Sequence, residues 1–186
     1  MKFIATDVDD STEKMQATVR AALEQPGRAM PPYFYRSHLV YQKELTELVF
    51  RSWVYACHVS EIALKGDDQL LESVEDSIII ARDADGEVHA LMKICRHRGA
   101  RVCEEARVYR KTFVCPYNGW VYNVDGSLKA AREMEVLAGF DAAKYGLKRA
   151  SVTVFMGLVF INCDPEAADF SGPLANIAEP LGAYDL

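Results

Sequence analysis

The sequence predicts an all-β, antiparallel domain, a small sandwich or barrel, preceded by one or two helices. Three observations lead there. From Trp53 onward, short β-rich runs follow one another at short intervals. Turn sequences, Asp83-Ala84-Asp85-Gly86 and Asp125-Gly126, punctuate them as hairpins. Before Trp53 the apolar residues recur at helical rather than alternating spacing.

Residues 12–24 (TEKMQATVRAALE) place Met15, Val19, Ala22 and Leu23 on one helical face, with Ser11 or Thr12 as cap and Pro26-Gly27 as stop. AMPPYFYRS reads as an extended link. A second amphipathic helix is predicted over 41–51, with Leu45, Leu48 and Val49 on its apolar side. The β-runs are 53–58 (WVYACH), 70–75, 77–82 (SIIIAR), 87–94 (EVHALMKI), 112–115, 120–123 and 128–129. A last pair, 150–156 and 158–163, meets near Gly157 as an apolar hairpin. The tail 164–186, with Pro165, Pro173 and Pro180, reads as a linker with a short helical turn at most. The expected organisation is a helical extension over 1–52, a β domain over 53–163 with a smaller subdomain at about 91–130, and a linker over 164–186.

Half of the 186 residues are apolar, enough to build a core, and the net charge is −6. That balance argues against nucleic acid or an anionic membrane as the main partner. The N-terminus (MKFIATDVDDSTEK) lacks the apolar stretch of a signal peptide, and the longest apolar run, VTVFMGLVFI, is too short to span a bilayer. The expectation is a cytoplasmic protein without a membrane partner. The five cysteines, Cys57, Cys95, Cys103, Cys115 and Cys163, are odd in number, which points to free thiols or metal ligands rather than a disulfide framework.

Two of these cysteines carry the chemistry. Cys95-x-His97 and Cys115-x-x-Asn118 are separated by 17 residues, and each follows a β-run as a loop. Two loops side by side on a β-scaffold can hold one metal site, each giving a thiolate and then a second donor. That is what a [2Fe–2S] centre with two cysteines on one iron and two histidines on the other needs. Gly99 and Gly119 suit close approach of the backbone to an inorganic core and supply N–H groups to its sulfurs. Tyr117 and Trp120 are expected to cover the loops, and Arg96, Arg98 and Arg101 to form a positive rim reaching toward Glu104 and Glu105. Cys103 reads as a small buried thiol, Cys57 and Cys163 as core residues, His38 and His58 as structural, and His89 as a surface or half-buried strand residue.

Residues 94–133 (ICRHRGARVCEEARVYRKTFVCPYNGWVYNVDGSLKAARE) resemble the Rieske domain of ring-hydroxylating oxygenase α subunits, and within that family the branch that N-demethylates small quaternary amines. The resemblance extends more weakly over roughly 30–165. It implies a [2Fe–2S] cluster on Cys95, His97 and Cys115, with Asn118 at the position of the second histidine. An amide is a weaker donor to iron than an imidazole, so a labile or absent cluster is also implied. The resemblance further implies an electron-transfer module fed by a ferredoxin or flavin reductase, passing electrons to the mononuclear iron of an oxygenase catalytic domain or subunit, and it allows a homo-oligomer. The four histidines, His38, His58, His89 and His97, include no closely spaced pair, so that iron is not expected in this chain. Two alternatives accompany this reading: a degenerate scaffold that holds no redox cluster, or zinc, and serves binding; and a freestanding Rieske ferredoxin.

Overall fold

The chain divides into two units, one up to Ser52 and one from Trp53. A computed structural model describes residues 9–73, 76–103, 105–106, 109–134 and 136–184.

In the first unit, α1 (Thr12–Leu23) is capped by Ser11, whose hydroxyl accepts the Lys14 N–H at 3.2 Å. None of its residues is buried, the apolar face included. Two elements differ from expectation. The stretch expected to be extended contains a short helix, α2 (Tyr33–Arg36), and the second long helix, α3, runs His38–Glu47 rather than 41–51. The cause is local. Ser37 accepts the Val40 N–H at 2.9 Å, and the Asp10 carboxylate accepts the Leu39 N–H at 2.9 Å, so the orphan donors of the first turn are satisfied three residues early. Val40 and Leu45 are buried, whereas Leu48 is exposed, and Val49–Arg51 forms a separate 3-10 turn.

The second unit is built on antiparallel sheets, as predicted. Six strands are ordered β1-β9-β8-β4-β3-β2: β1 (Val54–His58), β2 (Asp68–Ser73), β3 (Asp76–Arg82), β4 (Val88–Met92), β8 (Arg149–Phe155) and β9 (Leu158–Asn162). A separate three-stranded sheet is ordered β5-β6-β7, from β5 (Thr112–Val114), β6 (Val121–Asn123) and β7 (Leu128–Ala130). Val74 and Glu75, the end of the predicted 70–75 run, lie outside the described residues.

β3 explains why SIIIAR is apolar without alternation. Ile78 and Ile80 enter one core with Cys57, Ile62, Ala90, Val159 and Ile161. Ile79 and Ala81 face the other way, into a core with Leu91, Phe113, Trp120 and Tyr122. Both faces of the strand are covered, so no face asks for polar residues. The second core joins the large sheet to the small one, and it contains Cys95 and Cys115.

A polar lock joins the same parts at their edge. Arg110, just before β5, pairs with the wholly buried Asp68 of β2 and donates to the Glu105 carbonyl at 2.8 Å. Beside it, Gly66 accepts the Arg110 N–H and donates its own to Arg82. Gly66 has φ +87, and a Cβ there would stand 2.6 Å from the Arg110 carbonyl oxygen.

The tail is more ordered than a linker. It forms α4 (Ser171–Ala175) and α5 (Ala178–Leu181), with Leu174 buried. Phe170 stacks on Trp53 at 5.3 Å, and the Trp53 indole donates to the Ala168 carbonyl at 2.9 Å. Prolines at 165 and 173 read as linker, but Pro173 sits in the first turn of α4, where its missing N–H is harmless. Among the described residues no helix is long and apolar enough to cross a membrane.

Gly66→Ala should destabilise the protein by about 2 kcal/mol, because a left-handed residue acquires a Cβ against rigid backbone. Gly172→Ala, where nothing lies within 4 Å of the added Cβ, should change stability by less than about 0.5 kcal/mol. Denaturant titration of the two variants checks the contrast.

Candidate metal centre

Two hexapeptides with one hydrogen-bond pattern form the site. In Cys95–Ala100 the Cys95 N–H donates to the Ala100 carbonyl at 2.8 Å and the Gly99 N–H to the Cys95 carbonyl at 3.0 Å. In Cys115–Trp120 the Cys115 N–H donates to the Trp120 carbonyl at 2.8 Å and the Gly119 N–H to the Cys115 carbonyl at 2.9 Å. Gly99 and Gly119 have φ of +75 and +71, while a Cβ on either would meet nothing within 4 Å. Each glycine is therefore favoured by the left-handed turn itself. Each turn folds back on its own sulfur. The His97 N–H points at the Cys95 sulfur, and the Asn118 and Tyr117 N–H groups at the Cys115 sulfur.

The strands set the loops against each other. Cys95 and Cys115 are 2% and 1% exposed, and their thiols are within hydrogen-bonding contact. Tyr122 of β6 stands beneath them, wholly buried, its hydroxyl 3.2 Å from the Cys95 sulfur and accepting the Arg96 N–H at 3.1 Å. On the other side, the His97 ring stacks on Trp120 at 5.0 Å and 12°. Its Nδ1 faces the Asn118 amide nitrogen in direct contact. The Asn118 side-chain oxygen accepts the Trp120 N–H at 3.1 Å, and the amide lies 3.7 Å from the Cys95 sulfur. All four residues singled out in the sequence, Cys95, His97, Cys115 and Asn118, thus face one another.

The two thiols are electrostatically unequal. Burial raises the Cys95 thiol, but the Tyr122 hydroxyl, the His97 N–H and the neighbouring Cys115 and Asn118 outweigh it and hold Cys95 below the ordinary cysteine value. Burial dominates at Cys115, whose thiol is raised despite the Asn118 and Tyr117 N–H groups. The pair therefore ionises first at Cys95. Cys57, buried in the other core without such donors, is pushed up to about 11 by burial.

Residues around the site divide. Trp120 is buried as expected, against Phe140 and Tyr145, but Tyr117 is 66% exposed and covers nothing. Its ring lies instead under the Arg98 guanidinium, at 6.0 Å. Arg96, Arg98 and Arg101 are all exposed, and Glu104, an expected partner, lies outside the described residues. Cys103 is buried in the core of the site, and Cys57 and Cys163 are buried and half-buried. His89 is half-buried and bonded to Asp83 at 2.7 Å, and His58 caps the 3-10 turn Val59–Ile62. Tyr122 and the Arg110–Asp68 lock were not singled out in the sequence. The Tyr at position 122 carries no local signal; only the pairing of β6 with β5, Tyr122 opposite Phe113, turns it inward.

The donors fit an iron–sulfur core on the thiolate side, where each of two buried sulfurs receives N–H groups from its own turn. On the other side His97 offers Nδ1 and Asn118 a neutral amide. Among the described residues no three His, Cys, Asp or Glu side chains stand close enough to hold a single metal ion. Tyr122→Phe should cost about 1–2 kcal/mol, because it leaves the buried Cys95 sulfur and Arg96 N–H without their shared partner. Thermal unfolding of the metal-free chain measures it.

The comparisons agree with the geometry. The glycine betaine monooxygenase oxygenase subunit of Pseudomonas aeruginosa is 34% identical over 161 residues, 85% of this chain and 37% of that subunit. The anthranilate 1,2-dioxygenase large subunit of Acinetobacter baylyi is 37% identical over 125 residues, 66% of this chain and 26% of that subunit. The crystal structure of the quaternary ammonium Rieske monooxygenase CntA with gamma-butyrobetaine superposes with a TM-score of 0.77 at 30% identity, covering 82% of this chain and 44% of that one. The chain thus spans less than half the length of these relatives. The sequence profile of the Rieske [2Fe–2S] domain matches residues 52–141. The fold, the facing cysteine loops and this match together place the chain in the Rieske [2Fe–2S] family, whose cofactor is a [2Fe–2S] cluster, and its relatives are oxygenase α subunits.

Proposed function

We propose that this chain is the electron-transfer module of a Rieske oxygenase, receiving single electrons from a ferredoxin or flavin reductase and delivering them to a mononuclear iron outside this chain. The observation that carries the reading is the pairing of the two hexapeptide loops, which brings the Cys95 and Cys115 sulfurs together in a buried core. Cys95 and Cys115 would hold one iron, His97 Nδ1 and the Asn118 side chain the other. A [2Fe–2S] cluster supplies a one-electron store.

The surrounding residues set the conditions for that store. The N–H groups of His97, Tyr117 and Asn118 and the Tyr122 hydroxyl point at the cysteine sulfurs, so they stabilise added negative charge there. Trp120, 1% exposed, keeps water from the inner side and fixes the His97 ring plane. Asn118 keeps the hydrogen bond to the Trp120 N–H, and so the turn, while giving iron a weaker donor than imidazole.

The Asn118 amide also supports a second reading. Its contact with His97 ties the two loops together through protein atoms alone, as a scaffold without redox function would require, while the Trp120 N–H holds it within its own turn.

Anaerobic purification, visible absorption and low-temperature EPR separate the two. The electron-transfer reading predicts a coloured protein whose dithionite-reduced form gives the EPR signal of a mixed-valence [2Fe–2S] cluster. A colourless protein that takes up no cluster on reconstitution supports the scaffold instead. Asn118→His should slow loss of iron to a chelator by about tenfold. An unchanged rate would remove Asn118 from the fourth ligand position.

A further inference from the structure

The His97 ring is one end of a continuous file of aromatic rings. Trp120 stacks on it at 5.0 Å and meets Tyr145 edge-on at 5.8 Å and Phe140 at 6.1 Å. Phe140 and Tyr145 stack on each other at 5.0 Å and are half-buried, on the segment between β7 and β8. Beside them that segment holds Val136 and Leu137 out into solvent, 87% and 52% exposed. The backbone presents them by defined turns, Leu137 N–H to the Met134 carbonyl and Phe140 N–H to the Leu137 carbonyl, at 3.0 and 3.1 Å. The charge here is opposite to that of the chain. Residues 129–149 carry five cations against three carboxylates, net +2, in a protein of net charge −6. Arg132 and Lys144 are 81% and 79% exposed at its rim, beside Glu133 at 3.7 Å and Asp141 at 3.4 Å, two of the three carboxylates already counted in that net charge.

We propose that this 129–149 face docks an acidic one-electron carrier protein, and that the His97–Trp120–Tyr145/Phe140 rings couple the carrier to the paired cysteine loops. The inference rests on the electron-transfer reading above. An apolar centre with a positive rim fits a partner whose own apolar centre is ringed by carboxylates. A second copy of this chain fits poorly, because a two-fold contact would set positive rim against positive rim. Electronic coupling falls steeply with separation, and rings in contact bridge it better than saturated side chains. The route also leaves the tip of the loops, where Arg98 and Tyr117 are exposed, to the electron acceptor. A relay that serves two proteins in turn works best with two faces.

The test is a titration of the isotope-labelled chain with an acidic plant-type [2Fe–2S] ferredoxin at low salt, read by amide chemical shifts. The shifts should centre on Val136, Leu137 and Lys144, and added salt should weaken them. The double variant Arg132→Glu/Lys144→Glu, confined to exposed side chains, should weaken binding about tenfold. Shifts centred on Arg98 and Tyr117, shifts that follow the chain's own concentration, or no shifts would overturn the docking face. In cluster-loaded protein, Tyr145→Leu should slow reduction by the same ferredoxin several-fold and leave reduction by dithionite unchanged. Equal rates for variant and parent would overturn the ring coupling. A chain that takes up no cluster defeats the electron-transfer reading, while the shift map still decides the docking face.

Discussion

Everything at the site depends on two short turns closing in the same way. A cysteine donates its N–H to the carbonyl five residues on, and a left-handed glycine donates back to the cysteine carbonyl. This closure directs each turn's own N–H groups at its own sulfur, and it needs no side chain beyond the glycine's absence of one. Thiolates buried in a core must have their negative charge met by fixed dipoles rather than by solvent. The two turns supply those dipoles before any cofactor arrives.

The rest of the second unit holds the turns face to face. Strand β3, covered on both sides, lets one core run from the large sheet under the loops, and Phe113, Trp120 and Tyr122 fill the space between. The Arg110–Asp68 pair and the Gly66 backbone contact fix the small sheet at its edge. Asn118 fits this arrangement well as a turn residue, accepting the Trp120 N–H in an Asx turn, and poorly as an iron ligand. Asn118 thus keeps the fold of the loop while presenting a weaker iron donor than an imidazole.

Much of this was legible in the sequence, for identifiable reasons. The β-runs, the hairpin turns and the loop pair are specified by residues close together in the chain. Ser37 caps α3, a local signal inside the stretch expected to be extended. Contacts between distant positions left no mark. Arg110 finds Asp68 across 42 residues, and Tyr122 reaches Cys95 across 27, only because strand pairing brings them there. The left-handed φ of Gly99 and Gly119 is a further reason for glycine, set by the backbone closure of each turn and not visible in the residue pattern.

In the proposed arrangement one iron is held by Cys95 and Cys115 and the other by His97, with Asn118 in the place of a second imidazole. Pulsed EPR on the reduced, cluster-loaded protein, labelled at its histidine nitrogens, counts the imidazoles on the cluster directly. Strong coupling to the ring of one histidine is expected, lost in His97→Ala. Coupling to two histidines, or to none, would contradict it.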